Sequence, residues 1–258
     1  GRGMRVFMIG DVVGAPGCSF LREKLPAFKQ KEKVDVVICN GENSAVGNGI
    51  LPVSAGHLFD SGVDVITGGN HSFKRREIYD YLSDHPNLLR PANFPRCPYG
   101  EGWFLLDGGS FTMLVVSLLG VVYLDPLDDP FQTVDRIIRE HPATFTIVDF
   151  HAEATGEKLA MGYYLDGRVS AVAGTHTHVQ TADEQILEKG TGYISDLGMT
   201  GPVRSILGTA PEDIVQKMTT HLPTRFHVPD GPCKMEGVLL DLDRKTGLCT
   251  KIRRVQVR

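Results

Sequence analysis

The alternation of short β-branched runs with helical segments constrains the fold of this sequence most strongly. Five runs rich in valine, isoleucine and phenylalanine predict buried strands at 5–9, 34–39, 63–67, 145–149 and 169–173. Between these runs, the sequence predicts helices at 16–32, 52–61, 74–84, 131–140 and 154–165. Strands separated by helices form βαβ units with parallel strands. The sequence therefore predicts an α/β fold.

Two other regions follow a different pattern. Residues 103–123 and 225–255 predict strands that are joined by turns rather than by helices. A mixed sheet, or two packed sheets flanked by helices, accommodates both patterns. Because the sequence contains no internal repeat or linker, residues 4–258 are predicted to form a single domain, and residues 1–3 are interpreted as a remnant of recombinant expression.

Composition and charge limit the classes of function. The formal net charge of −4 argues against a dedicated nucleic-acid-binding protein, which would present a basic face. Five scattered cysteines without a C-x-x-C pair favour a reducing cytoplasm over a disulfide-bonded exterior. The most apolar stretch, 111–124, is interrupted by polar residues and falls short of the ~18 apolar residues of a membrane span. We therefore expect a cytoplasmic protein with no membrane association.

Polar residues follow the predicted strands where each strand ends. The clusters are Gly10-Asp11, Asn40-Gly41-Glu42-Asn43, Gly69-Asn70-His71, Asp149-Phe150-His151 and Thr175-His176-Thr177-His178. In open α/β sheets, ligands bind beyond the carboxyl ends of the strands. We therefore expect the five strands to direct these side chains to one edge of one sheet.

The types of side chain in these clusters indicate a metal centre. Imidazole, carboxylate and amide groups without a thiolate suit iron, manganese, zinc or cobalt better than calcium or magnesium. Two ions that share a bridging ligand would use all seven candidates: Asp11, Glu42, Asn43, Asn70, His151, His176 and His178. A single cluster of this kind could be an ordinary turn, but turns explain five clusters at five strand ends poorly.

The other histidines are assigned structural or surface positions, as is usual for an isolated histidine. They are His57, His85, His141, His221 and His227.

The order of the clusters resembles the calcineurin-like metallophosphoesterase superfamily. Its pattern runs Asp-x-His, Gly-Asp-x-x-Asp, Gly-Asn-His, a lone histidine and Gly-His-x-His. In this sequence Val13 replaces the first histidine, and Glu42 replaces the bridging aspartate, with Asn43 beside it as a further oxygen donor. These departures, together with the segments 149–153 and 193–202, resemble the bacterial YmdB-like phosphodiesterase branch over essentially the whole chain.

This resemblance implies a four-layer α/β/β/α sandwich and a phosphodiesterase that acts on 2',3'-cyclic nucleotides. It implies two divalent or trivalent transition-metal ions, with iron favoured and manganese or zinc as alternatives. One ion would be held by Asp11, Glu42, Asn43 and His178, and the other by Glu42, Asn70, His151 and His176.

The resemblance also implies a mechanism. A hydroxide that bridges the two ions would attack phosphorus while His71, a proton donor rather than a ligand, protonates the leaving ribose oxygen. Asp149 or Glu153 could orient a ligand imidazole from behind. For Asp196 and Thr200 two interpretations stay open, an approach to the substrate or a place in an ordinary surface loop.

Other functions also stay open from the sequence. A phosphomonoesterase of the same superfamily would need basic groups for a dianionic phosphate, and Lys74, Arg75 and Arg76 are candidates. A metal-binding regulator with weak hydrolase activity is a second alternative, and a nucleic-acid-binding module is the least favoured. The expected partner is a small phosphodiester such as a cyclic nucleotide, and exposed sheet edges leave a homo-oligomer open.

Overall fold

The computed structural model describes residues 3–258, so residues 1 and 2 of the expected expression remnant lie outside the described part. The strands are β1 Met4–Ile9, β2 Asp11–Val12, β3 Val36–Asn40, β4 Val65–Thr67, β5 Trp103–Asp107, β6 Thr112–Leu119, β7 Phe145–His151, β8 Ala171–Thr175, β9 Gln185–Ile186, β10 Gly192–Ile194, β11 Met199–Pro202, β12 Cys233–Leu242 and β13 Cys249–Val257. The helices are α1 Gly14–Glu32, α2 Pro52–Asp60, α3 Ile78–Asp84, α4 Pro130–Glu140, α5 Thr155–Leu165 and α6 Pro211–Thr220.

The strands form two mixed sheets. The first sheet has the order β2-β11-β12-β1-β3-β4, and β13 also pairs with β12. The second sheet has the order β5-β6-β7-β8-β10-β9. Parallel pairs such as β1–β3 and β7–β8 come from the βαβ units, whereas β12–β13 and β5–β6 are antiparallel. Each sheet therefore combines parallel strands joined by helices with antiparallel strands joined by turns, the two patterns seen in the sequence.

Alternating side chains along the strands separate the layers. On β1, Val6 and Met8 belong to the apolar core between the two sheets, whereas Phe7 packs with residues of α1 and α2. On β7, Ile147 lies in the same central core and Phe150 packs with residues of α4 and α5. The result is a four-layer α/β/β/α arrangement, which confirms the predicted fold class.

The expectation of one sheet edge was wrong. Strands β1, β3 and β4 belong to the first sheet, but β7 and β8 belong to the second. All five strands are nearly continuous buried runs, and this pattern gives no information about which strands pair. The carboxyl ends of the two parallel sets nevertheless meet at one end of the sandwich, where their side chains contact one another.

Two helices differ from the expectation. Residues 74–77 form turns, so α3 begins at Ile78 rather than near residue 74. Helix α6 had no counterpart in the sequence prediction, although Pro211 begins it and Glu212 and Asp213 occupy its first turn. It buries none of its residues, so it contributes no side chain to the apolar core of the sandwich.

All five cysteines are free, and three of them, Cys18, Cys39 and Cys249, are buried. Among the helices of residues 3–258, none combines the length and the apolar character needed to cross a membrane.

Candidate metal centre

Glu42 lies at the centre of the cluster formed by the predicted ligands. It follows β3 in a turn, and only 1% of its side chain is exposed. Its Oε1 atom lies 2.8 Å from Nε2 of His151, the last residue of β7. Its Oε2 atom accepts the backbone N–H of His71 at 2.5 Å. Glu42 therefore connects the first sheet to the second at the point where both sets of parallel strands end.

One set of donors surrounds Asp11, and we call Asp11, Glu42, Asn43 and His178 the Asp11 group. Nε2 of His178 lies 2.8 Å from Oδ2 of Asp11 and 3.3 Å from Nδ2 of Asn43. The same Nδ2 atom donates to Oε1 of Glu42 at 3.1 Å, whereas Oδ1, the atom of this amide that can bind a metal, lies 3.0 Å from Nδ1 of His71. The Nδ1–H of His178 donates to the carbonyl of Leu207 at 2.9 Å, so Nε2 is the nitrogen that is free to bind a metal.

The second set of donors surrounds His151, and we call Glu42, Asn70, His151 and His176 the His151 group. Nε2 of His151 lies 3.0 Å from Oδ1 of Asn70 and 3.1 Å from Nδ1 of His176. Donor atoms of Glu42, His151 and His176 all lie within 4.8 Å of one another. The seven predicted ligands thus form two adjoining groups that share Glu42.

Polar residues behind the ligands fix the orientation of two imidazoles. Oε2 of Glu153 lies 2.7 Å from Nε2 of His176, so His176 presents Nδ1 to the centre. Nδ1 of His151 lies 2.8 Å from Oγ1 of Thr175, which in turn donates to Asp149 at 2.6 Å. Both carboxylates proposed to orient imidazoles therefore do so, Glu153 directly and Asp149 through Thr175.

Buried carboxylates dominate the electrostatics of the centre. Burial opposes ionisation, yet the adjacent His151 and His71 hold the pKa of Glu42 below its usual range. Against the same burial, Glu42 raises the pKa of His151 to about 9, and Asp11 raises the pKa of His178 to about 9. These carboxylates stabilise positive charge next to them, and cations can supply that charge as well as protons can.

Two further observations test whether a metal fits. The carboxylate of Asp11 is buried, and only its Oδ2 atom has a described partner, Nε2 of His178 at 2.8 Å; its Oδ1 atom has none, which is costly unless a cation binds it. Gly69 leaves room for the His151 ring, because a Cβ atom there would lie 2.5 Å from Nε2 of His151. The donor types, the unpartnered Oδ1 atom of Asp11 and the space at Gly69 all fit transition-metal ions.

A cavity of about 360 Å³ opens beside the two groups. His71 lines it, with 37% of its side chain exposed, and Nδ1 of His71 lies 3.0 Å from Oδ1 of Asn43. This contact leaves Nε2 as the nitrogen available for proton exchange with a molecule in the cavity. Val13, which replaces the expected histidine, forms an apolar part of the wall with Leu207 and Val228.

The basic residues and the threonine that the sequence suggested as possible substrate contacts do not line the cavity. Of the described residues that line it, none is a lysine or arginine. Arg75 instead binds the backbone carbonyls of Val46 and Asn48, a residue of the cavity rim. Thr200 is buried in β11, where its backbone carbonyl accepts the N–H of Val13.

The five remaining histidines have the structural or surface roles that the sequence suggested. His57 contacts the Cys18 carbonyl, His85 stacks on Tyr81, His141 stacks on Trp103, His221 ends α6 and His227 pairs with Asp213.

Sequence reasoning missed three groups that support the centre. Asn40 donates to the Gly68 carbonyl and to Asp149 from a fully buried position. Thr175 and the Leu207 carbonyl hold His151 and His178, respectively. Asn40 and Thr175 each belong to one of the polar clusters at the strand ends, so their positions in the sequence could have indicated this role. The carbonyl of Leu207 could not have been predicted, because every residue has a backbone carbonyl.

Comparisons with known proteins cover nearly the whole chain. A sequence model of the family described as YmdB-like protein matches residues 7–255. A 2',3'-cyclic-nucleotide 2'-phosphodiesterase of Bacillus subtilis is 48% identical, and the match covers 98% of this chain and 97% of that protein. The crystal structure of a hypothetical protein from Thermus thermophilus is 40% identical with a TM-score of 0.93, covering 98% of each chain. A phosphatase from Mycoplasma pneumoniae is 31% identical with a TM-score of 0.94, covering 99% of this chain and 94% of that one.

Proposed function

Because the chain belongs to the YmdB-like protein family, we propose that it is a metal-dependent phosphodiesterase that hydrolyses 2',3'-cyclic nucleotides. The name of the Bacillus subtilis relative, which matches over nearly the full length of both proteins, supports this substrate class. The observation that carries the proposal is the buried position of Glu42, which joins the Asp11 group to the His151 group beside a cavity.

We propose that each group holds one metal ion and that Glu42 bridges the pair. Iron, manganese and zinc all suit a set of carboxylate, amide and imidazole donors. Two such ions would supply positive charge to the phosphoryl oxygens and would acidify water at neutral pH.

The residues of the chain provide the remaining chemistry. Water adds its oxygen to phosphorus as one bond between phosphorus and a ribose oxygen breaks. His71 donates a proton from Nε2 to that ribose oxygen, and the proton released by water restores the imidazolium. The contact between Nδ1 of His71 and Asn43 orients the ring for this transfer.

The cavity favours a diester over a monoester. A dianionic terminal phosphate is usually bound with additional basic side chains. Among the described residues the wall of the cavity contains neither lysine nor arginine, and its volume of about 360 Å³ lies in the range of small-molecule sites. A small cyclic nucleotide is therefore the proposed partner, in preference to a phosphomonoester or a nucleic acid.

Two other expectations belong to this proposal. The cytoplasmic location stays a prediction based on the cysteines, and a homo-oligomer stays a prediction based on exposed sheet edges.

The proposal is tested by elemental analysis of protein purified without added metal, together with turnover of 2',3'-cyclic AMP and p-nitrophenyl phosphate. We expect two transition-metal ions per chain and faster turnover of the cyclic diester. Glu42→Gln should lose metal, whereas Glu236→Gln, which alters a buried glutamate bound to Lys234, should retain it. Fewer than about one metal ion per chain in active protein would contradict the two-ion proposal.

A further inference from the structure

The segment that carries two of the proposed ligands has an unfavourable backbone. His176 has a φ of 113° and His178 a φ of 66°, in the left-handed region that residues other than glycine rarely adopt. Thr177 lies between them. A strained conformation of this kind persists only where surrounding contacts hold it in place.

Asp196 supplies contacts to the middle of this segment. Its Oδ2 atom accepts the backbone N–H of Thr177 at 2.9 Å and the Thr177 hydroxyl at 2.8 Å. The backbone of Asp196 also holds the end of the segment, since its carbonyl accepts the N–H of Thr181 at 3.1 Å and its N–H donates to Oγ1 of Thr181 at 3.0 Å. Asp196 thus fixes the chain on both sides of His178.

Lys158 provides the charge that allows Asp196 to be buried. Its Nζ atom lies 3.0 Å from Oδ2 of Asp196, and 2% and 1% of the two side chains are exposed. Lys158 comes from α5, and its side chain passes Gly174, where a Cβ atom would lie 2.9 Å from Cδ of Lys158. The interior position of Asp196 excludes both earlier interpretations, because the residue lies neither in a surface loop nor in the wall of the cavity.

We propose that Asp196, paired with Lys158, is the positioning residue that holds His176 and His178 in the geometry in which they bind metal. A buried ion pair is often no more stabilising than well-packed apolar side chains, so stability alone gives a weak reason for this pair. The two hydrogen bonds that Asp196 accepts from Thr177 provide a specific reason, because Thr177 lies between the two proposed histidine ligands. The inference rests on the proposed metal-dependent function.

The test separates metal affinity from stability. Calorimetric titration of chelator-treated full-length protein with Mn²⁺ measures affinity, and the melting temperature of the same sample measures stability. Asp196→Ala removes the oxygen that accepts both Thr177 hydrogen bonds, so it should weaken Mn²⁺ binding about 10–100-fold, the range for partners that orient metal ligands. The double variant Asp196→Ala/Lys158→Met also removes the unpaired lysine charge, so it should recover melting temperature without recovering affinity.

Asp183→Asn is the matched control. Asp183 accepts hydrogen bonds from Ser195 and Thr181 in the same region but makes none to Thr177. This variant should lose stability and keep its affinity for Mn²⁺.

Wild-type affinity in the double variant, or an equal loss of affinity in the Asp183 variant, would overturn the inference. If Asp196→Ala does not fold, the affinity of the double variant is the deciding measurement. Failure of the wild-type protein to bind Mn²⁺ or another transition metal would instead refute the proposed metal centre, so the two failures are distinguishable.

Discussion

Replacing Gly69 by alanine would place a methyl group against the ring of His151. A Cβ atom at position 69 would lie 2.5 Å from both Cδ2 and Nε2 of His151, whereas ordinary van der Waals contact begins near 3.4 Å. The ring must therefore move by about 1 Å to remove the clash. It cannot turn aside freely, because it is fully buried and its Nδ1 atom is bonded to Thr175.

A shift of this size is large for a metal ligand. Bond lengths at metal sites stay within roughly 0.2 Å of their ordinary values, so Nε2 would leave the coordination sphere. A displacement of 1 Å in a catalytic arrangement can cost about 100-fold in rate, or about 2.7 kcal/mol of transition-state stabilisation. We expect Gly69→Ala to lose about that factor in kcat on 2',3'-cyclic AMP and to retain less metal.

Gly156→Ala is a control with the same chemical change. Gly156 lies in α5, and a Cβ atom there would meet nothing within 4 Å. This variant should keep its rate and gain about 0.4–1 kcal/mol of stability, since alanine restricts the unfolded chain. A Gly69→Ala protein with wild-type kcat and metal content would refute the reasoning from the position of the His151 ring.

Three further predictions follow from the site and its surroundings. His71→Ala should retain metal by elemental analysis but lose about 10²–10⁴-fold in kcat, because it lacks the proposed acid; near-full turnover would exclude that role. Mn²⁺ should raise the melting temperature of chelator-treated protein. The rise should be smaller for Asp11→Asn, because this substitution removes the negative charge of a buried carboxylate, and an equal rise would exclude Asp11 as a ligand. Burial raises the pKa of Asp183, but hydrogen bonds from Ser195 and Thr181 outweigh burial and lower it. The ionised carboxylate of Asp183 therefore stabilises the folded protein above the ordinary aspartate pKa of ~3.9. This contribution is lost as the pH falls below that value and the carboxylate becomes protonated. Asp183→Asn should consequently lower the melting temperature more at pH 7 than at pH 3, and an equal decrease at both values would contradict this.

The sequence predicted the elements of the fold better than their pairing. Strand β1 and helices α1 and α5 lie within two residues of their predicted bounds, because apolar β-branched runs and the helical segments between them are local properties of the sequence. The division into two sheets depends on contacts between distant residues, such as the pairing of Met4 with Leu242 across β1 and β12. No local pattern specifies such a pairing.

In the candidate site, the sequence likewise predicted the ligands better than the residues that hold them in place. Its proposed ligands were recognisable because carboxylate, amide and imidazole groups follow glycine at the ends of strands. Their supports were less visible, since Leu207 acts through a backbone carbonyl and Asp196 resembles an ordinary loop residue until Lys158 is placed beside it. Residues that hold a ligand in place are brought next to it only by folding, so no short segment of the sequence identifies them.

The central place of β12 in the first sheet has a consequence for the order of events during synthesis. Strand β1 emerges from the ribosome long before its neighbour β12, which covers one of its edges and begins at Cys233. The first sheet therefore stays incomplete until nearly the whole chain has been made, and such distant pairings are slow to form. Because the proposed ligands reach the same end of the sandwich from both sheets, we expect the proposed metal site to form only after the two sheets have packed together, although all seven ligands lie between residues 11 and 178.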